Sequence, residues 1–439
     1  MKFGKLLSFT WIPAWKPRVE GIPERFQKQV LHDTDLTVAW LLESLRKNDN
    51  VFVQKYGTRV PKMVSCHDVS DGKGLFSVVL KVKLEYENSI YFTIVKIPGT
   101  YVFDKMTTEG KSGNFEFNHE MVDNVMIPMH NNECLFYSIV APWIPEILPR
   151  VFEAREWKFY ENQVGYLHME DLSVRGKNLD YFNCLSHGQI KNIVRHLAHF
   201  HKVILTTDEA LWKGKFTKNK NLMSGLTGTF KNVYEKYKTT CKRPGKWMEK
   251  IFQREDYINL ICNCEFADYA YHQSYLDIGI PTLLVHGDLW TSNVMFKSDS
   301  EGKITDEVAA ILDWQIAHEG NFLIDFVRLL IHSCDGDIRR EIELYLPEFY
   351  IDCLNSELKT AGMKPSFTAE QFKKAYDIMF LIHSGHHAIV GPMIFSTKST
   401  KEGEELVDDA RYDRGEWRGL LIYEDAIRIM DAGDYKKWI

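Results

Sequence analysis

The chain of 439 residues is short of several things, and each shortage removes a class of protein. No apolar run is long enough to span a bilayer. The N-terminal stretch MKFGKLLSFTWIPAWKPRVEGIP has a short apolar patch, but Pro13, Trp15, Lys16, Pro17 and Arg18 break it, and no small-residue cleavage site follows. A secretory signal is not expected, and the sequence reads as cytoplasmic. The eight cysteines are scattered and form no CxxC pair, and Cys262 and Cys264 stand too close for a usual zinc knuckle, so reduced, mostly buried thiols are expected. Positive charge is also scarce. Lys and Arg number 54 against 60 Asp and Glu, net charge is −6, and no long basic run occurs. Nucleic acid is therefore not expected as a partner, whereas a cationic ligand would suit the acidic balance. There is no Walker A motif, which excludes a P-loop enzyme, and there is no internal repeat or low-complexity tract.

What remains is an ordinary globular composition, 45% apolar and 26% charged, in a chain long enough for two cores. The patterning changes along it. Residues 1–32 read as an irregular arm. Residues 33–47 read as an amphipathic helix capped by Thr34 or Asp35. Residues 60–103 are β-branched and aromatic runs separated by Gly, Asp and Asn, which predicts antiparallel hairpins. Phe117 to Ala141 reads as helix with a break at Pro128, and 150–171 returns to strand. From residue 172 the pattern is mainly helical, with a β interlude at 282–314. The expected architecture is α+β and bilobal. A β-rich N-lobe at 33–171 precedes a larger α-rich C-lobe at 172–439.

The strongest chemical signal is LLVHGDLWTSNVMF, residues 283–296, followed by AAILDWQIA, residues 309–317. An apolar strand runs into His286-Gly287-Asp288, Asn293 comes five residues after Asp288, and a second strand ends at Asp313. This order suits phosphoryl transfer. One carboxylate must orient or receive the acceptor hydroxyl proton, and an amide oxygen with a second carboxylate can hold Mg²⁺ against nucleotide phosphates. Asp288 is the candidate catalytic base, with Asn293 and Asp313 as metal ligands. His286 is the remaining catalytic candidate, expected to brace the loop by hydrogen bonds. Two aspartates in turns after strands are a common structural arrangement; the joint pattern is what favours chemistry.

Those phrases, with MHNNECLFY and LHMEDLS before them, resemble the choline kinase and aminoglycoside phosphotransferase superfamily. More closely they are similar to its CHK kinase-like branch, which includes insect ecdysteroid kinase-like proteins and a large nematode group. The resemblance runs from about residue 60 to 335. Trp314-Gln315 departs from plain choline kinases. The resemblance implies a protein-kinase-like fold, ATP and Mg²⁺ as cofactors, and a hydroxylated small molecule as acceptor, such as a steroid, a xenobiotic conjugate or a choline-like alcohol.

The other candidates fall into place beside it. Lys96 is the single charge in the strand YFTIVKI and would contact the α- and β-phosphates; alone, it reads equally well as a lysine reaching solvent. Its partner is Glu120 or Glu133. The resemblance favours Glu133, although the family usually has Arg where this chain has Asn132. In SDGKGLFS, Gly72, Gly74 and Ser77 would cover phosphate, although an ordinary hairpin turn explains two glycines equally well. Met169, Glu170 and Asp171 lie where the lobes join. Backbone groups there would meet the adenine edge, with Met169 lining the pocket. Asp325 resembles a position that supports the catalytic loop. His383, His386 and His387 lack the Glu of an HExxH zinc motif and read as packing or as the lining of an acceptor cleft. HLAHFH, 196–201, reads as core.

No DFG or APE follows the loop, and only about 20 residues separate Asn293 from Asp313, which disfavours a protein substrate. Two other readings compete with a small-molecule O-kinase: a catalytically inactive pseudokinase acting as a binding module, and a metal-dependent hydrolase built on His286, Asp288 and Asp313.

Overall fold

The computed structural model describes residues 20–70, 76–99, 121–225, 227–229, 232, 253–395, 403 and 405–439. The chain divides into two compact units, one up to Val174 and one from Arg175 onward. The first is rich in β-strand and the second mainly helical, the α+β division that the patterning predicts.

In the first unit, α1 (Glu24–Lys28) begins directly after Pro23, so part of the segment expected to be irregular is helical, and Phe26 is buried there. Helix α2 (Val38–Asn48) starts later than the periodicity suggests. Thr37 caps it by accepting the Trp40 N–H at 3.2 Å. Thr34 is instead spent on the preceding turn, where its hydroxyl donates to Leu31 O at 2.6 Å and accepts the Leu36 N–H. Both positions offer a hydroxyl that can satisfy a helix-end donor, so sequence alone does not choose between them. Helix α3 (Asn50–Tyr56) follows, capped by Asp49.

Strands β1 (Met63–Asp68), β2 (Ser77–Glu85), β3 (Ile90–Pro98), β4 (Val151–Arg155) and β5 (Tyr166–Glu170) form one sheet in the order β1-β2-β3-β5-β4. Every pair is antiparallel. Side chains alternate with period two, so Leu80, Val82 and Leu84 of β2 join Val95 and Ile97 of β3 on one face. Leu41, Leu42 and Leu45 of α2 and Phe52 of α3 complete that core. Lys96, between Val95 and Ile97, is thereby directed to the opposite face. Helix α4 (Ile127–Ile139) meets it there. Pro128 does not break a longer helix. It stands where a π-helical turn at Val122–Met126 passes without interruption into the first turn of α4.

The second unit opens with β6 (Gly176–Asn178) and α5 (His187–Thr206), whose first turn is a capping box of Ser186 and Gln189. Helices α6 (Glu255–Ile261), α7 (Cys264–His272) and α8 (Ser274–Ile278) precede the β interlude. There β7 (Leu283–Val285) pairs with β10 (His318–Gly320), and β8 (Val294–Ser298) with β9 (Ile304–Ile311) and β6. Helix α9 (Leu323–Ser333) is buried along its whole length and packs on α11 (Ala369–Phe395). Helices α10 (Gly336–Lys359) and α12 (Glu405–Ala432) complete the unit. No described helix is long and apolar enough to cross a membrane. The seven described cysteines are free, and Cys241 lies outside the described residues.

Candidate active site

The first unit supplies a buried ion pair. Lys96 Nζ donates to Glu133 Oε2 at 2.7 Å, with the two side chains 11% and 2% exposed. Of the two glutamates considered from the sequence, Glu133 is therefore a partner of Lys96; Glu120 lies outside the described residues. The words around Glu133 explain how α4 is held. Asn131 Nδ2 donates to Trp157 O at 3.0 Å, and its Oδ1 accepts the Trp157 N–H at 2.7 Å. One residue earlier, His130 Nε2 bonds Arg155 O at 2.8 Å. Burial pushes the His130 imidazole down to about 4, so it is neutral. Gly165 leaves room for that ring, since a Cβ there would stand 2.5 Å from His130 Nε2.

His168 is a second anchor that the sequence reading missed. The Thr93 hydroxyl donates to Met169 O at 2.9 Å, so it accepts from His168 Nε2–H at 2.9 Å, and Nδ1 accepts from the Ser44 hydroxyl at 2.8 Å. Burial pushes this imidazole down to about 3. The three side chains fix β5 as it reaches Met169. The stretch that follows is partly committed to structure, contrary to its expected role. The Glu170 N–H donates to Arg150 O at 3.0 Å and its carboxylate is held by Arg150, while Asp171 pairs with Lys81 at 2.9 Å. The Glu170 N–H is thus already used within the sheet. Ser77 opens β2 opposite Pro98. Gly72 and Gly74 lie outside the described residues.

The second unit supplies the loop after β7. Asp325, fully buried on α9, accepts the backbone N–H groups of His286 at 2.8 Å and Gly287 at 2.7 Å. The chain reverses at Gly287, whose φ is +82°. A Cβ there would lie 2.8 Å from Ile316 O and 3.1 Å from His318 Nδ1. Gly287→Ala should therefore destabilise the protein by about 2 kcal/mol or more, from left-handed strain plus a clash against backbone. Urea unfolding would show it as a lower midpoint at unchanged slope. An unaffected midpoint would mean that the loop is not held as tightly as its hydrogen bonds imply.

His286 spends both ring nitrogens on the loop. Nδ1 accepts the Asp288 N–H at 3.1 Å and Nε2 donates to Leu312 O at 2.8 Å. Its ring lies 4.6 Å from that of buried Trp314. No lone pair is left for a metal, which removes His286 from the hydrolase site considered above. Asn293 turns its amide nitrogen to Asp288 O at 2.8 Å, so its Oδ1 points the other way. Leu312 N donates to Asn293 O at 2.8 Å, which ties the Asp288–Asn293 loop to the turn at Asp313. Asp313 is left-handed, with φ of 65°, an unusual conformation that Asp tolerates better than most residues.

Arg328 is the functional candidate that sequence reasoning overlooked. Its guanidinium forms an ion pair with Asp288 Oδ1, with the two side chains 8% and 21% exposed. The signal was available: in LIDFVRLLIHS, Arg328 stands three residues after Asp325, on the same helix face and in an otherwise apolar context.

Among the described residues, no group of three or more His, Cys, Asp or Glu is gathered to hold a metal. The donors that do fit one are oxygens. Asn293 Oδ1 and the Asp313 carboxylate suit Mg²⁺, which takes few protein ligands and fills the rest of its octahedron with phosphate oxygens and water.

Solved structures with which the chain can be aligned include small-molecule phosphotransferases. Choline kinase from Cryptosporidium parvum Iowa II gives a TM-score of 0.48 at 11% identity, over 90% of this chain and 96% of that one. Spectinomycin phosphotransferase, in complex with ADP and spectinomycin, gives 0.43 at 10% identity, over 89% and 97%. The family itself is shown by sequence: residues 57–429 match the family described as "Uncharacterized oxidoreductase dhs-27" (DUF1679), and the chain belongs to it. The Caenorhabditis elegans protein of that name is 26% identical over 390 residues, covering 86% of this chain and 44% of the relative. The C. elegans "Uncharacterized kinase-like protein D1044.1" is 24% identical over 216 residues, covering 49% of this chain and 52% of the relative. The chain thus spans about half the length of the curated relatives it matches.

Proposed function

We propose that the chain is an ATP- and Mg²⁺-dependent phosphotransferase of the CHK kinase-like branch, acting in the cytoplasm on a hydroxyl of a small molecule. The observation that carries this reading is the buried Lys96–Glu133 pair. Removing an ammonium and a carboxylate from water costs about what their attraction returns, so such a pair is poorly explained by stability alone. A lysine held ready for nucleotide phosphates explains it. The loop of the second unit supports the same reading. In it Asp288 takes the proton of the acceptor hydroxyl at Oδ2, since Oδ1 is held by Arg328. Asn293 and Asp313 would hold Mg²⁺, which when bound neutralises phosphate charge. His286 and Asp325 keep the loop in shape.

The word oxidoreductase in the family description does not favour hydride transfer by this segment. A dinucleotide-binding doubly wound sheet is parallel, whereas every strand pair among the described residues is antiparallel.

The test is thermal unfolding with ATP, with and without Mg²⁺, on wild type and Asp313→Asn. Ligand at 100 times its Kd should stabilise the native state by about 2.7 kcal/mol. A Mg²⁺-dependent rise in Tm that is lost in the variant is the expected result. No rise in wild type would sink the mechanism and leave a binding module.

A further inference from the structure

The proposed phosphotransferase reading leaves one buried cluster unused. On α9, His332 stands four residues after Arg328 and so shares its face, one turn from the guanidinium that holds Asp288. Its ring packs 5.9 Å from His383 and 6.1 Å from His387 of α11. His383 stacks on His386 at 4.3 Å, and the Tyr271 hydroxyl bonds Nδ1 of both, at 3.1 and 3.3 Å. His332 and His383 are 1% and 0% exposed. Yet among the described residues both ring nitrogens of His332, and Nε2 of His383, have no hydrogen-bond partner. Buried polar atoms are normally satisfied, and phenylalanine would fill the same space without the penalty. The imidazoles are therefore poorly explained as packing.

Their charge state narrows what they could meet. Burial holds His332 and His383 well below the ordinary imidazole range, and Arg328 acts on both in the same direction. The other charged groups acting on the cluster, Arg418 on His332 and His387 and Arg339 on His387, are also arginines. His332 is thus a neutral imidazole with one N–H to give and one lone pair to receive a proton donor, while neutral His383, whose Nδ1 is engaged by Tyr271, keeps Nε2 for one of the two. A hydroxyl has the same two capacities. These arginines are themselves paired, Arg328 with Asp288, Arg418 with Asp335 and Arg339 with Glu343 and Asp425, so the carboxylates that could attract a cation here are already engaged.

We propose that His332 and His383, next to Arg328, form the acceptor subsite, and that it takes an uncharged, hydroxyl-rich molecule rather than a cation. This rests on the phosphotransferase reading and narrows its substrate class. It also reverses the expectation, drawn from overall acidity, that a cationic ligand would suit the chain.

The experiment measures ADP release by the full chain with Mg²⁺ and ATP, using myo-inositol, D-glucose and glycerol as neutral polyols and choline and kanamycin as cations. Stimulation by a polyol and none by either cation is expected. His332→Phe and His383→Phe should each raise the polyol KM at least tenfold without changing the KM for ATP, and His383→Gln, which keeps a donor and an acceptor, should restore most of the loss. Should a Phe variant not fold, Leu at the same position, which also removes donor and acceptor, carries the comparison. Stimulation by a cation alone overturns the inference, as does a polyol KM unmoved by the Phe variants. ATP binding with no response to any polyol also overturns it, while leaving the phosphotransferase reading intact. Failure to bind ATP removes both.

Discussion

Asp288→Asn should lower turnover by about 10²–10⁴-fold, the range attributable to a general base, while leaving the Mg²⁺-dependent stabilisation by ATP in place. The substitution keeps the shape of the side chain and removes its capacity to take a proton. Nucleotide is assigned to Lys96, Asn293 and Asp313; of these, Asn293 reaches the Asp288 carboxylate through a long contact, Nδ2 to Oδ2 at 3.5 Å, which an asparagine oxygen can equally accept. Asn293 is oriented by the Asp288 backbone oxygen, which survives the substitution. Steady-state turnover and ATP-dependent Tm shifts, measured on the same preparation, separate the two effects. Loss of both together would mean that Asp288 positions the metal. Retention of full turnover would remove it as the base. The variant also takes the negative charge from beside Arg328, so a modest drop in Tm without ligand is expected.

How much of this was legible beforehand depended on whether an element is fixed locally or by distant parts of the chain. The apolar alternation in Leu80, Val82 and Leu84 and the spacing in α5 are local, and both elements were read correctly from it. The loop in HGDxxxxN was legible because it is built locally, with the apolar strand Leu283–Val285 before it and His286 and Asn293 bonded to Asp288 within it. Arg328, His130, Asn131 and His168 were missed for the opposite reason. Arg328 meets Asp288 across 40 residues, and His168 meets Ser44 across 124 and Thr93 across 75. The local sequence marks Arg328 as an unusual charge on an apolar helix but names no partner for it, and nothing near His168 names either of its partners. The start of α2 failed differently, because Thr34, Asp35 and Thr37 are all competent caps and only the preceding turn, which engages Thr34, leaves Thr37 to do it.

The largest stability effect should come from Asp325→Ala. The carboxylate is fully buried and accepts the N–H groups of His286 and Gly287 where β7 ends. Truncation strands two buried donors at about 1–3 kcal/mol each, and it frees the turn that aims Asp288. A loss of about 3–5 kcal/mol in urea unfolding is expected, with turnover falling as well. Asp325→Asn keeps one acceptor oxygen and should lose about half as much. The pH dependence follows from the direction in which burial acts. Burial raises the Asp325 pKa, against the opposing pull of His286, the two N–H bonds and Arg328. The folded state therefore holds this proton more tightly than the unfolded chain does. The contribution is complete below the ordinary carboxylate pKa of about 3.9 and is lost as pH rises through the raised value. Asn at this position cannot titrate, so the stability gap between wild type and Asp325→Asn should narrow with rising pH. A gap that widens instead would show that the folded loop prefers the ionised carboxylate, and that the two N–H bonds with His286 and Arg328 outweigh the cost of burial.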